Sequence, residues 1–133
     1  MIIKRICSGP AFDIYAIKVS KNCQVQEYIS GLELGDQKQI VALINFISEK
    51  GPPTNKEKFN PIGDSIYELK TPNGIRVLSF FGGSGLPKSL ILTHGFPKPK
   101  KRSLAQEKKK AVAWRKEYFR LINKGGLLKK GEK

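Results

Sequence analysis

The apolar positions change period along the chain, and the changes mark out elements. "FDIYAIKV", Phe12 to Val19, is dense in β-branched and aromatic residues and predicts a strand. Val25, Tyr28, Ile29 and Leu32 then recur at helical spacing, with Asn22 placed to cap. A second helix follows. Asp36 is placed at its start with Gln39 three residues on, and Ile40, Leu43, Ile44 and Ile47 form its stripe. "GPP" at Gly51–Pro53 stops it. The polar stretch "TNKEKFNPIGD" predicts no element.

Three strands come next: Ile66–Lys70, Ile75–Phe81 and Leu90–Phe96. "TPNG" between the first two suits a type I turn with Gly74 left-handed, a register that sets Lys70 across from Arg76. "GGSGLPK" links the next pair. No helix follows its glycines, so it is not a phosphate-binding loop. Ser103 can cap a last helix with Leu104, Ala111, Trp114, Tyr118 and Ile122 along one side, closed by Gly125 and Gly126.

The predicted order is β-α-α-β-β-β-α. The fold class is α+β: a small, mainly antiparallel sheet covered on one face by an N-terminal helical hairpin, with a C-terminal helix and the other face partly open. Residues 1–124 are expected to form one domain and 125–133 a flexible basic tail.

Charge changes this picture. The 133 residues carry a net +14, with a pI near 9.9. Residues 98–133 hold 14 Lys and Arg against 3 acidic residues, a net of +11; residues 1–97 hold 11 against 8, a net of +3. Such a balance points to a polyanionic partner, and a solvated helix face with a basic tail is the plainer alternative. No run approaches the ~18 apolar residues of a membrane span, and the apolar part of "MIIKRICSGP" is too short for a signal peptide, so a cytoplasmic protein is expected. Cys7 and Cys23 form no paired motif. With His94 the only histidine, neither a metal site nor a cofactor is expected.

The chemistry-bearing residues cluster late. Arg76 interrupts the apolar strand "IRVLSFF", and a charge there must reach solvent or a partner. His94 ends an apolar strand and is expected to share its face with Leu90, Leu92 and Phe96; Gly95 lets another chain or ligand approach the backbone. Lys70, Arg76 and His94, with Lys98 and Lys100 at the exit, suit a phosphodiester: cations hold its oxygens and an imidazole moves a proton near neutrality. RNA carries its own nucleophile, the 2′-hydroxyl. Plainer alternatives stand beside each assignment: an ion pair of Arg76 with Glu68, a structural His94, and core roles for Trp114, Tyr118 and Phe119.

"IYELK", "GIRVLSFF" and "LILTHGFPKPKKRSLAQEKKKAVAWRKEYF" together resemble the phage-derived HigB-like branch of the RelE toxin superfamily, over about Asp64 to Phe119. The resemblance implies the toxin of a type II toxin–antitoxin pair: a metal-independent RNase that cuts mRNA in the ribosomal A site, leaving a 2′,3′-cyclic phosphate and a 5′-OH. It implies catalytic roles for Arg76, His94 and Lys98, and RNA binding by Lys70, Lys100, Lys101, Arg102 and Tyr118. Ile66 and Glu68 stand where the best-known branch has lysines, and Met1–Ala11 lies outside the compact pattern. The implied partners are ribosome-bound mRNA, rRNA and a helix-turn-helix antitoxin of the HigA type. The alternative is a non-catalytic module that binds RNA, ribosomes or an antitoxin and acts as a co-repressor.

Overall fold

The computed structural model describes residues 1–97, 103–124 and 129–131. The chain begins with two strands rather than one. β1 (Ile2–Ser8) runs antiparallel to β2 (Asp13–Lys18). Two helices follow, α1 (Gln24–Ser30) and α2 (Leu34–Lys50). Four strands come next: β3 (Phe59–Gly63), β4 (Ile66–Lys70), β5 (Ile75–Phe81) and β6 (Ser89–Pro97). Helix α3 (Ser103–Asn123) and the three-residue β7 (Lys129–Gly131) complete the order.

One sheet holds all the strands, in the order β3-β4-β5-β6-β2-β1-β7. It is mixed: β2 pairs in parallel with β6, and β7 in parallel with β1. The expected N-terminal helical hairpin over a mainly antiparallel sheet is therefore corrected. The hydrophobic runs themselves give the reason. Ile14–Ile17 and Ser89–His94 are buried without alternation, as in strands covered on both faces. One face packs Ile14, Ala16, Leu69, Val77, Leu90 and Leu92 against Val25, Ile40, Leu43, Ile44 and Ile47 of α1 and α2. The opposite face packs Ile3, Tyr15, Ile66, Leu78, Phe80 and Ile91 against Ala111 and Tyr118 of α3. The face expected to be partly open is thus roofed by α3.

Three strands escaped the sequence reading: β1, β3 and β7. In β1 basic residues interrupt the apolar pattern. In β3 Pro61 speaks against a strand, but β3 is an edge strand, where a missing N–H costs no ladder bond. The caps also differ: Cys23 precedes α1 with no side-chain cap bond, and Asp36 lies inside the first turn of α2, which starts from Glu33. Both cysteines are free thiols. Lys129–Gly131 lies in the stretch expected to be a tail and forms β7. Among the described residues no helix is long and apolar enough to cross a membrane.

Candidate active site between the sheet and the third helix

The β4–β5 hairpin turns as expected. Gly74 has φ +86°, the Thr71 amide donates to the Ile75 carbonyl at 3.0 Å, and the Thr71 hydroxyl accepts from the Ile75 amide at 3.2 Å. Lys70 therefore sits opposite Arg76, and Glu68 opposite Leu78. Both rows face α3.

A bulge then sets the histidine. Val77 pairs with Gly95 but Ser79 pairs with Leu92, so β6 has one residue more than β5 over this step, and Thr93 and His94 both lie opposite Leu78. This corrects the expected face. Leu90 and Leu92 point toward α1 and α2, whereas His94 points toward α3 with Ile91 and Phe96. The extra residue carries His94 to the same face as Arg76, which pairs with Phe96. Gly95 points the other way. What approaches its backbone is the Tyr28 ring of α1.

Arg76 is not left alone. Its guanidinium lies 2.9 Å from Glu68, whose side chain is 2% exposed against 17% for Arg76. The ordinary ion pair weighed as an alternative is present. The Arg76 Nε is buried with no hydrogen-bond partner among the described residues, a donor not spent on the fold.

His94 is engaged at both nitrogens. Nδ1 lies 3.0 Å from the Thr93 hydroxyl and Nε2 lies 2.9 Å from Glu107 Oε1 on α3. Burial lowers the imidazole pKa below its usual value, and the Glu107 carboxylate opposes that shift only in part. The ring is thus neutral near pH 7. Its Nε2–H donates to Glu107, while Nδ1 accepts from Thr93. If the ring gains a proton, the Thr93 hydroxyl can turn to the Leu78 carbonyl, 3.2 Å away, and accept from Nδ1 instead.

Glu107 was missed by the sequence reading, and a signal for it existed. It is the single acidic residue between positions 98 and 116, and it falls on the apolar stripe, three residues after Leu104 and four before Ala111. A carboxylate on a buried stripe needs a partner. Among the described residues it has two, His94 and Lys110, the latter at 3.2 Å.

Tyr118, expected to bind RNA, is corrected. It is fully buried, and its hydroxyl donates to the Gly82 carbonyl at 2.8 Å. Burial pushes its pKa up to about 12. The glycine loop explains this placement. A Cβ on Gly83 would meet the Phe119 ring at 3.0 Å, and one on Gly85 would meet Ile122 at 2.9 Å, so the loop is glycine-rich because α3 rests on it. Lys98, Lys100, Lys101 and Arg102 lie outside the described residues. The described residues contain no group of three or more His, Cys, Asp or Glu side chains able to hold a metal ion.

Residues 27–116 match the family described as phage derived protein Gp49-like (DUF891). No curated protein matches the chain.

Proposed function

The chain belongs to the Gp49-like family of phage-derived proteins, a RelE/toxin-like family whose members imply a cognate antitoxin, and from that premise we propose that it is a HigB-like mRNA endonuclease acting in the ribosomal A site. The observation that carries this reading is the gathering of Lys70, Arg76 and His94 on one face of the sheet, by a hairpin register and a bulge.

In this reading Arg76 holds the non-bridging oxygens of the scissile phosphate and offsets the charge that builds on them. Lys70, opposite it, adds a second cation. His94 and its hydrogen-bond partners handle the proton of the attacking 2′-hydroxyl. Lys98, Lys100, Lys101 and Arg102 follow directly in sequence and supply charge for the mRNA and rRNA backbones. No cofactor enters the reaction, which takes place in the cytoplasm. The antitoxin, of the helix-turn-helix HigA type, meets a strongly basic partner, so acidic groups on it favour the encounter.

A second reading has one observation in its favour: Glu68 already neutralises Arg76. In that reading the chain is a non-catalytic RNA- or antitoxin-binding co-repressor. One experiment separates the two. A defined mRNA is translated in a reconstituted system with wild type or Arg76→Ala, and cuts are mapped by primer extension with and without ribosomes. Cuts that need ribosomes and Arg76 support the nuclease. A folded wild type that makes no cuts favours the co-repressor.

A further inference from the structure

We propose that the group that takes the proton from the attacking 2′-hydroxyl is Glu107 of α3, and that His94 is its positioning residue. The inference rests on the nuclease reading above.

The first argument is occupancy. Both ring nitrogens of His94 are committed, Nδ1 to Thr93 and Nε2 to Glu107. A base must bring an acceptor within hydrogen-bond reach of the proton it removes, and the imidazole offers no uncommitted nitrogen. The second is access. The His94 side chain is 5% exposed and that of Glu107 is 18% exposed, so the carboxylate is the solvent-facing end of the couple. Among the described residues both of its partners, His94 and Lys110, bind at Oε1.

The third argument is the order of charges. Burial keeps His94 neutral, so its Nε2–H fixes the carboxylate without adding a proton to it. The charged groups on the α3-facing side of the sheet and beside Glu107 come from two strands and from α3. They are Glu68 and Lys70 on β4, Arg76 on β5, and Lys110 and the Asp64-bound Lys108 on α3. Arg76 and Lys70 occupy the strand row next to Glu68, Leu78 and His94, so the phosphate-holding cations lie on the same face of the sheet as the histidine that holds the proton acceptor.

The step balances without a co-reactant beyond water. The 2′-O–H proton passes to the Glu107 carboxylate, and the freed O2′ electron pair forms the bond to phosphorus. The P–O5′ bond breaks, and the leaving 5′-oxygen takes a proton from water. Glu107 then returns its proton to water, leaving a 2′,3′-cyclic phosphate and a 5′-OH.

The test uses the full chain in a reconstituted translation reaction with a defined mRNA. Single-turnover cleavage is followed over about pH 5 to 9, with ribosome co-sedimentation and thermal melts alongside. Glu107→Gln keeps an acceptor for His94 Nε2–H but cannot take the proton. It is expected to cut about 100-fold slower or worse, with ribosome binding and melting unchanged. Glu107→Asp keeps a carboxylate, set back by one methylene, and is expected to fall between Gln and wild type. His94→Gln is expected to lose about tenfold and to displace the acidic limb of the pH profile, as a positioning group does. Three outcomes overturn the proposal: wild-type rates from Glu107→Gln, loss of ribosome binding in that variant, or a His94→Gln rate as low as that of Glu107→Gln. A wild type that never cuts removes the nuclease reading itself, and is told apart because every variant is then equally silent.

Discussion

Replacing Gly95 with alanine tests how the second layer is docked. A Cβ at this position would lie 2.6 Å from Tyr28 Cε2 and 2.9 Å from Cγ, where ordinary contact begins at 3.4 Å. The ring must therefore retreat by about 1 Å. Tyr28 sits on α1, a seven-residue helix with no side-chain cap bond, which has little stability apart from its packing. Overpacking of this kind costs about 1–3 kcal/mol. Alanine gives back about 0.5–1 kcal/mol because glycine loses more freedom in a strand. The expected net loss is about 1 kcal/mol, a fall in Tm of about 3–4 °C for a chain of this size. Urea unfolding followed by circular dichroism measures it. Tyr28→Ala supplies the control: with the ring gone, Gly95→Ala should cost nothing, and the double-mutant cycle should return the clash as a coupling energy. A Gly95→Ala protein within about 0.5 kcal/mol of wild type would refute the reasoning. So would the same loss in both backgrounds.

Two further outcomes follow from buried groups. Glu68→Gln leaves the Arg76 guanidinium beside a neutral amide. Because Arg76 keeps partial solvent access, the loss is expected at about 2 kcal/mol, below the range for fully buried pairs, read as a lower urea midpoint. Tyr118 has its folded pKa raised to about 12, above an ordinary phenol near 10. The stability that Tyr118 contributes is thus whole below about pH 10 and is lost as pH rises toward 12, and Tyr118→Phe should flatten that alkaline loss. An unchanged alkaline limb in Tyr118→Phe would show that another group governs it.

The legible parts of this fold are those carried by local periodicity. The α2 stripe of Ile40, Leu43, Ile44 and Ile47 is buried as read, because a helix face needs only its own spacing. The Lys70–Arg76 pairing was equally legible, since a short turn dictates its own register. Parallel pairing of β2 with β6 was not, because no local residue announces a partner some 75 positions away. β3 was hidden by Pro61, which only its edge position excuses. At the site Arg76 and His94 were found by their chemistry, but the bulge that turns His94 toward α3 has no sequence mark. The tyrosine misread has a related cause: Tyr118 and Glu107 share one helix face, and only tertiary packing decides which of them meets solvent.

The position of β6 also governs when the molecule becomes whole. It is the central strand of the sheet, yet it is made of residues 89–97 and is the neighbour that joins β2 to the β3–β5 half. Until it leaves the ribosome, the strands made first have no partner on one edge and the apolar faces of α1 and α2 have little to cover. Pairing between segments this far apart in sequence, β2 with β6, carries a large loop-closure cost and slows folding. His94 lies on that same late strand and Glu107 comes later still. The His94–Glu107 couple therefore cannot form until both the last-made central strand and the helix that follows it have emerged, and no earlier part of the chain can carry it.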